Sequence, residues 1–156
     1  EFNFHREPSR DRTPWNLARQ TGDDAVLPLF RRFAELRERL VPYLAEAGKR
    51  AARERVPIMR PLALDHPRDE AVWEFPYQYA LGDALLVAPV CEPGAEEWQV
   101  YLPSGEWVDL ARPDGVTTGG SVVTVPAPLD WIPVFCTAER AAALAPLFND
   151  ELVEVN

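Results

Sequence analysis

Residues 79–90 read Tyr-Ala-Leu-Gly-Asp-Ala-Leu-Leu-Val-Ala-Pro-Val, and at Ala84 the pattern of the chain changes. From there on, short apolar or alternating runs are set apart by turn residues. The runs cover 85–90, 98–102, 106–110, 121–125 and 132–135. The separators are Glu92-Pro93-Gly94, Pro103-Ser104-Gly105, Pro113-Asp114-Gly115 and Gly119-Gly120. Proline cannot continue a ladder and glycine supplies turn dihedrals, so short runs at this spacing predict an antiparallel sandwich or a small jelly-roll-like sheet. Residues 139–148 (ERAAALAPLF) predict a short final helix.

Upstream of Ala84 the period is helical. Leu29, Phe33, Leu36, Leu40, Leu44, Ala47 and Ala51 follow steps of three and four, which place them on one face. The charged residues of this stretch fall largely off that face. Asp23 or Asp24 is the expected N-cap and Pro28 is tolerated near the first turn, while Pro42 should kink the helix or remove one of its bonds. A helix over 25–54 would be roughly 45 Å long, too long for a small independent domain to cover. Pro57 ends it. Residues 56–64 (VPIMRPLAL) then predict a short buried strand, and 65–83, with Trp73, Phe75, Tyr77 and Tyr79, a loop and one short helix.

The chain has 156 residues, 47% of them hydrophobic and 26% charged, a balance that excludes a wholly disordered polypeptide. Sixteen prolines are about twice the usual share, and they are spread as punctuation between short elements. The net charge of −9 argues against nucleic acid as a partner. That total hides a split: residues 1–60 carry 13 basic and 9 acidic groups, residues 61–156 carry 3 and 16. Two regions with different surfaces are expected, meeting near residues 60 to 85. No apolar run is long enough to span a membrane, so no membrane partner is expected. No leader is visible, but the chain opens at Glu1 without a methionine, so its true start is expected elsewhere. The compartment stays open, the cytoplasm slightly favoured.

The residues alone do not show an activity. Two histidines and two cysteines far apart in sequence give little support to a multi-ligand metal site, and no cofactor is implied. There is no glycine-rich phosphate loop and no nucleophile elbow. Cys91 and Cys136 read as small buried hydrophobes before a disulfide. His66 reads as a loop residue. Arg60, buried at the end of a strand, demands a carboxylate or several acceptors, and a structural ion pair is favoured over a substrate contact. The aromatic group 73–79 reads as a packing plug before a sugar-stacking platform.

Taken in order, however, five segments resemble glycoside hydrolase family 31, the family of α-glucosidases and α-xylosidases. Residues 37–44 (RERLVPYL) resemble its "R..L.PYL" helix, 56–62 (VPIMRPL) its "P.MRPL" barrel strand, and 79–90 its "DQYMFGDDLLVAPV" signature. Residues 100–107 (VYLPSGEW) resemble "VYLP.G.W", and 129–135 (LDWIPVF) resemble "LD.IPVF". Among the departures, Tyr77 stands where the motif opens on Asp.

The resemblance implies an α+β chain in two parts. Residues 1–83 would be the C-terminal remnant of a (β/α)8 barrel, comprising the long helix and the last strand. Residues 84–156 would be the proximal, antiparallel C-terminal β-sandwich. About 80 residues cannot close a barrel of roughly 250. The resemblance also implies a retaining α-glycosidase acting on a carbohydrate substrate through an aspartate nucleophile and an aspartate acid/base. Both would lie upstream, so no catalytic residue is assigned here and the chain alone should be inactive. Some members carry an "FR.H" segment whose histidine faces the sugar. Residues 2–5 (FNFH) share its ends, which makes His5 the candidate substrate contact. The competing reading is a non-catalytic carbohydrate-binding or structural β-module. Apolar surface left without its barrel would also favour self-association of the fragment.

Overall fold

A computed structural model describes residues 12–149. The chain divides into two compact units, residues 1–40 and 41–156. The first holds two helices, α1 (Pro14–Thr21) and α2 (Val26–Arg39). Gly22, at φ +67°, ends α1, and its N–H donates to the Ala18 carbonyl. Asp23 accepts from the Ala25 N–H at 2.9 Å, a tight local turn, while Ala25 itself occupies the N-cap position of α2. Among its described residues α2 buries none fully, although it carries Leu29, Phe33 and Leu36 of the apolar stripe.

The second unit opens with α3 (Val41–Glu54). The single helix expected over 25–54 is therefore two helices of 14 residues each, parted at Leu40. Pro42 explains the break, because it lacks an N–H and its ring clashes with the preceding turn, so it is best placed at the start of a new helix. Arg55, in the left-handed region at φ +57°, ends α3 just before Pro57. The strand expected over 56–64 is shorter than anticipated: β1 spans Met59–Pro61, and α4 (Leu62–Asp65) follows at once. A 3-10 turn covers Glu70–Glu74, the Ala71 N–H donating to the Asp69 carboxylate that caps it. Residues 79–81, expected within a loop, form β2.

Strands β3 (Leu85–Val87), β4 (Glu97–Leu102), β5 (Glu106–Asp109), β6 (Thr117–Thr118), β7 (Ser121–Pro126) and β8 (Val134–Thr137) complete the sheets, and α5 (Ala138–Phe148) closes the described chain. All pairings are antiparallel. One sheet has the order β1-β2-β3-β8-β5-β6, and β4 pairs with β7 in another. Ladder contacts run unbroken from Met59↔Leu81 to Leu85↔Cys136, so residues 83 and 84 sit in the turn between two paired strands. Both sheets contribute to one core. Leu86, Phe135 and Trp107 from the larger sheet meet Val100, Leu102 and Val125 from the smaller, with Leu62 and Val72 added from α4 and the 3-10 turn. Burying such side chains stabilises by about 1.5–3 kcal/mol each, which is the main term holding the unit together.

The chain changes sheets twice at one place. Between β4 and β5 it passes through Pro103-Ser104-Gly105, and between β6 and β7 through Gly119-Gly120. Gly119 N–H donates to the Gly105 carbonyl at 2.8 Å and Gly120 N–H to the Leu102 carbonyl at 2.7 Å. The Trp107 indole N–H donates to the Pro103 carbonyl at 2.8 Å. A Cβ on Gly119 would collide with that same carbonyl. Gly119→Ala should therefore lower stability by about 3 kcal/mol, the upper end for overpacking, because the atom it meets is backbone. Gly94→Ala, at φ +74° but in open space, should cost only the left-handed penalty of about 1–2 kcal/mol. Paired denaturant melts check the order; equal midpoints would contradict it.

Candidate functional site

The turn Leu81-Gly82-Asp83-Ala84 is where three separated segments meet. The Tyr43 hydroxyl, from α3, donates to the Leu81 carbonyl at 2.6 Å and accepts from the Ala84 N–H at 3.1 Å. Burial pushes the phenol above its ordinary value. Gly82 sits at φ +68° and donates its N–H to the Ile58 carbonyl at 2.8 Å. A Cβ there would overlap the Tyr43 ring, so glycine is required on two counts. Arg60, on β1 and only 8% exposed, reaches the turn from the other chain segment. Its Nη2 donates to the Gly82 carbonyl at 2.7 Å and to Asp65 at 2.7 Å, its Nε to Asp65 at 2.8 Å, and its Nη1 to the Pro57 carbonyl at 2.9 Å. The guanidinium is thus consumed by structure, as an ion pair plus two carbonyls, and its fork geometry fits that task. Outside the turn, Asp83 accepts from Arg140 at 3.2 Å and faces Arg50 at 3.8 Å, exposed pairs of small energetic weight.

A second junction ties the 65–78 segment to β4. Gln78, 3% exposed, donates its side-chain amide to the Tyr101 carbonyl and accepts from the Tyr101 N–H, both at 2.8 Å. One side chain thus replaces a missing neighbouring strand. The Tyr101 hydroxyl donates to Asp69 at 2.6 Å, and the Phe75 ring stacks on Tyr101 with centroids 5.7 Å apart. The Asp69 carboxylate and burial push the Tyr101 phenol up to about 12.

Two clefts of about 530 Å³ each lie in this unit. One surrounds the Arg60 junction and includes Asp65, His66, Glu106, Trp107 and Glu139. The other runs between the Glu74–Gln78 segment and the start of β4, with Phe75, Tyr77 and Trp98 beside Glu97 and Gln99. Burial raises the Asp109 carboxyl, but that group serves a turn, accepting from the Ala111 N–H at 2.9 Å. Among the described residues no group of His, Cys, Asp or Glu is placed to hold a metal ion, and no helix is long and apolar enough to cross a membrane.

The sequence-based candidates fare differently. His5 lies outside the described residues. The ion pair expected for Arg60 is formed with Asp65. His66 follows α4 and borders the first cleft. Cys136 is buried, its thiol pushed up to about 11, whereas Cys91 is exposed, which corrects the reading of both as core hydrophobes; each is a free thiol. The aromatic group does not act as a unit: Phe75 packs on Tyr101, while Trp73 and Tyr77 are 67% and 65% exposed. Sequence reasoning missed Tyr43, Asp69 and Gln78 as anchors. A glutamine inside an aromatic run was the available signal for the last.

The fold, an antiparallel β domain entered through a helix and a short strand, carries four of the five motif segments in or beside its two junctions. A family model described as the glycosyl hydrolase family 31 C-terminal domain matches residues 55–140. The 1,3-alpha-isomaltosidase of Kribbella flavida is 54% identical over 149 residues, covering 96% of this chain and 20% of that protein. A solved structure of a Kfla1895 mutant in complex with isomaltose superposes with a TM-score of 0.86, at 54% identity, over 96% of this chain and 21% of that one. The cycloalternan-degrading enzyme from Trueperella pyogenes superposes with a TM-score of 0.80 at 43% identity, over 88% of this chain and 19% of that one. The chain belongs to glycoside hydrolase family 31 and corresponds to a C-terminal portion of such an enzyme. It spans about a fifth of the length of the relatives it matches.

Two outcomes follow from the junctions. Arg60→Met should cost about 3 kcal/mol, at the low end for a broken buried pair because Asp65 keeps some access to water, and Arg60→Lys should not restore it because an ammonium lacks the fork. Urea midpoints measure both. A phenol raised in the folded state binds its proton more tightly there than in the unfolded chain. Its contribution is therefore complete below pH 10 and declines as pH rises through about 12. Tyr101→Phe should flatten that decline, read as denaturation midpoints at pH 9 and pH 11.

Proposed function

We propose that this chain is part of a retaining α-glycosidase that hydrolyses terminal α-glucosides or α-xylosides, its catalytic aspartates lying upstream of the residues present here. The observation that supports this most is the pairing of high identity over nearly all of this chain with coverage of only a fifth of the relative. The motifs that match are spent on structure: Tyr43, Arg60 and Gly82 hold a turn and are not offered to a ligand. Retention requires two carboxyls about 5–5.5 Å apart, one attacking the anomeric carbon and the other protonating the leaving oxygen. That pair belongs to the remainder of the enzyme in this reading.

Residues 1–83 then complete the (β/α)8 barrel and 84–156 form the proximal β-sandwich. Three features favour barrel neighbours that are missing from the first of these parts. The apolar stripe of α2 is left without full burial. Met59 on β1 and Leu64 on α4 are 58% and 54% exposed. Strand β1 has a ladder partner on one side only, β2. Each is what a helix and strand leave open when the neighbours they were selected to pack against are elsewhere in the polypeptide. His5 is the substrate contact in this reading.

The isolated chain should show no turnover of an aryl α-glucoside above a buffer blank. The same residues joined to the barrel that precedes them should restore it, and His5→Ala in that enzyme should lower kcat/KM. Hydrolysis by the isolated chain would overturn the placement of the aspartates.

A further inference from the structure

We propose that the cleft between residues 74–78 and strand β4 is a binding site for an α-linked gluco-oligosaccharide. The choice of sugar rests on the reading of the parent enzyme as an α-glycosidase, while the site rests on the cleft itself. Its volume of about 530 Å³ falls within the range of ligand pockets.

The walls suit a pyranose. Tyr77 lies 65% exposed along one wall, and its backbone is held on both sides. Gln78 is fixed by paired hydrogen bonds to Tyr101, and Phe75 is stacked on the Tyr101 ring. An exposed ring on a fixed backbone presents apolar area at a low ordering cost. The facing strand adds the exposed Glu97 and Gln99, and the half-buried Trp98, packed in part against the core, also borders the cleft. The carboxylates of Glu74, Glu92 and Glu97 and the amide of Gln99 border the same space, in no hydrogen bond or ion pair with another described residue. A sugar ring offers a flat C–H face to an aromatic ring and a rim of hydroxyls to such acceptors.

Charge and spacing argue against anionic ligands and metal ions. The lining carries three glutamates and no Arg, Lys or His, which rejects phosphate, sulfate and carboxylate ligands. The acids do not converge on a point, for among the described residues no acidic group is placed to hold a metal ion. Dispersed acceptors around an aromatic floor fit a neutral, many-hydroxylated molecule. Tyr77 also stands where the quoted motif carries Asp.

Titration of isomaltotetraose into the 156-residue chain, followed by backbone amide and indole NMR shifts, tests the proposal. Shifts should concentrate at residues 74–78 and 97–99 and at the Trp98 indole, with cellotetraose producing far smaller ones. Tyr77→Ala should weaken binding about tenfold and Glu97→Gln a few-fold, with the rest of each spectrum unchanged. No shift at these residues, equal response to cellotetraose, or unaltered affinity in Tyr77→Ala would overturn the site. An aryl α-glucoside assay of the complete enzyme separates the two claims. Normal hydrolysis without binding removes the site alone, and absent hydrolysis removes the α-glycosidase reading while the titration stands.

Discussion

The Arg60 guanidinium is the group on which the second unit depends. Its charge cannot be left dry and unpaired, since removing one partner of such a pair costs several kcal/mol. Asp65 is brought to it by α4, five residues on, and the Gly82 carbonyl by the turn 22 residues away. Because Gly82 also faces Tyr43, the same turn fixes α3 against the sheet. Helix, edge strand and the entry to β3 are thereby set by one short segment. The hydrophobic core supplies most of the free energy and sets which face of each strand turns inward. The polar junction specifies which residues of α3 and β1 stand beside the turn.

The second junction extends the same logic. Gln78 copies the donor and acceptor of a backbone unit and lets β4 continue its pairing where no strand is available. Asp69 works twice, capping the 3-10 turn with one oxygen and accepting from Tyr101 with the other. These contacts pin residues 65–78, most of which stay exposed, through the buried Val72 and Gln78. A fixed loop is also what a binding surface needs, and Tyr77 emerges from this one.

Much of the sheet was legible because its punctuation is chemical. Proline- and glycine-containing separators fix the starts of β4, β5 and β7 to within one residue of the expected positions. Strand β2 escaped because Tyr79-Ala80-Leu81 is too short to show a period and is flanked by aromatics that favour no single class. The helical stripe was correct in phase and wrong in continuity. Periodicity survives a break when the next helix resumes in register, so only Pro42 carried the warning. At the sites, the ion-pair demand of a buried arginine could be read from its neighbours, but its partner could not, because Asp65 lies beyond a turn that sequence alone did not place. Tyr43 gave no signal at all apart from the family resemblance, for a tyrosine on a helix is ordinary until its hydroxyl is seen between two strands.

Hydrogen exchange at the Gly82 and Ala84 amides addresses the central claim directly. Their N–H groups are held by the Ile58 carbonyl and the Tyr43 hydroxyl, respectively. If the turn is the fixed point of the unit, both amides open only with global unfolding, at the same free energy as the core amide of Leu86. Exchange at Gly82 and Ala84 through low-energy local opening, with Leu86 still protected, would contradict it.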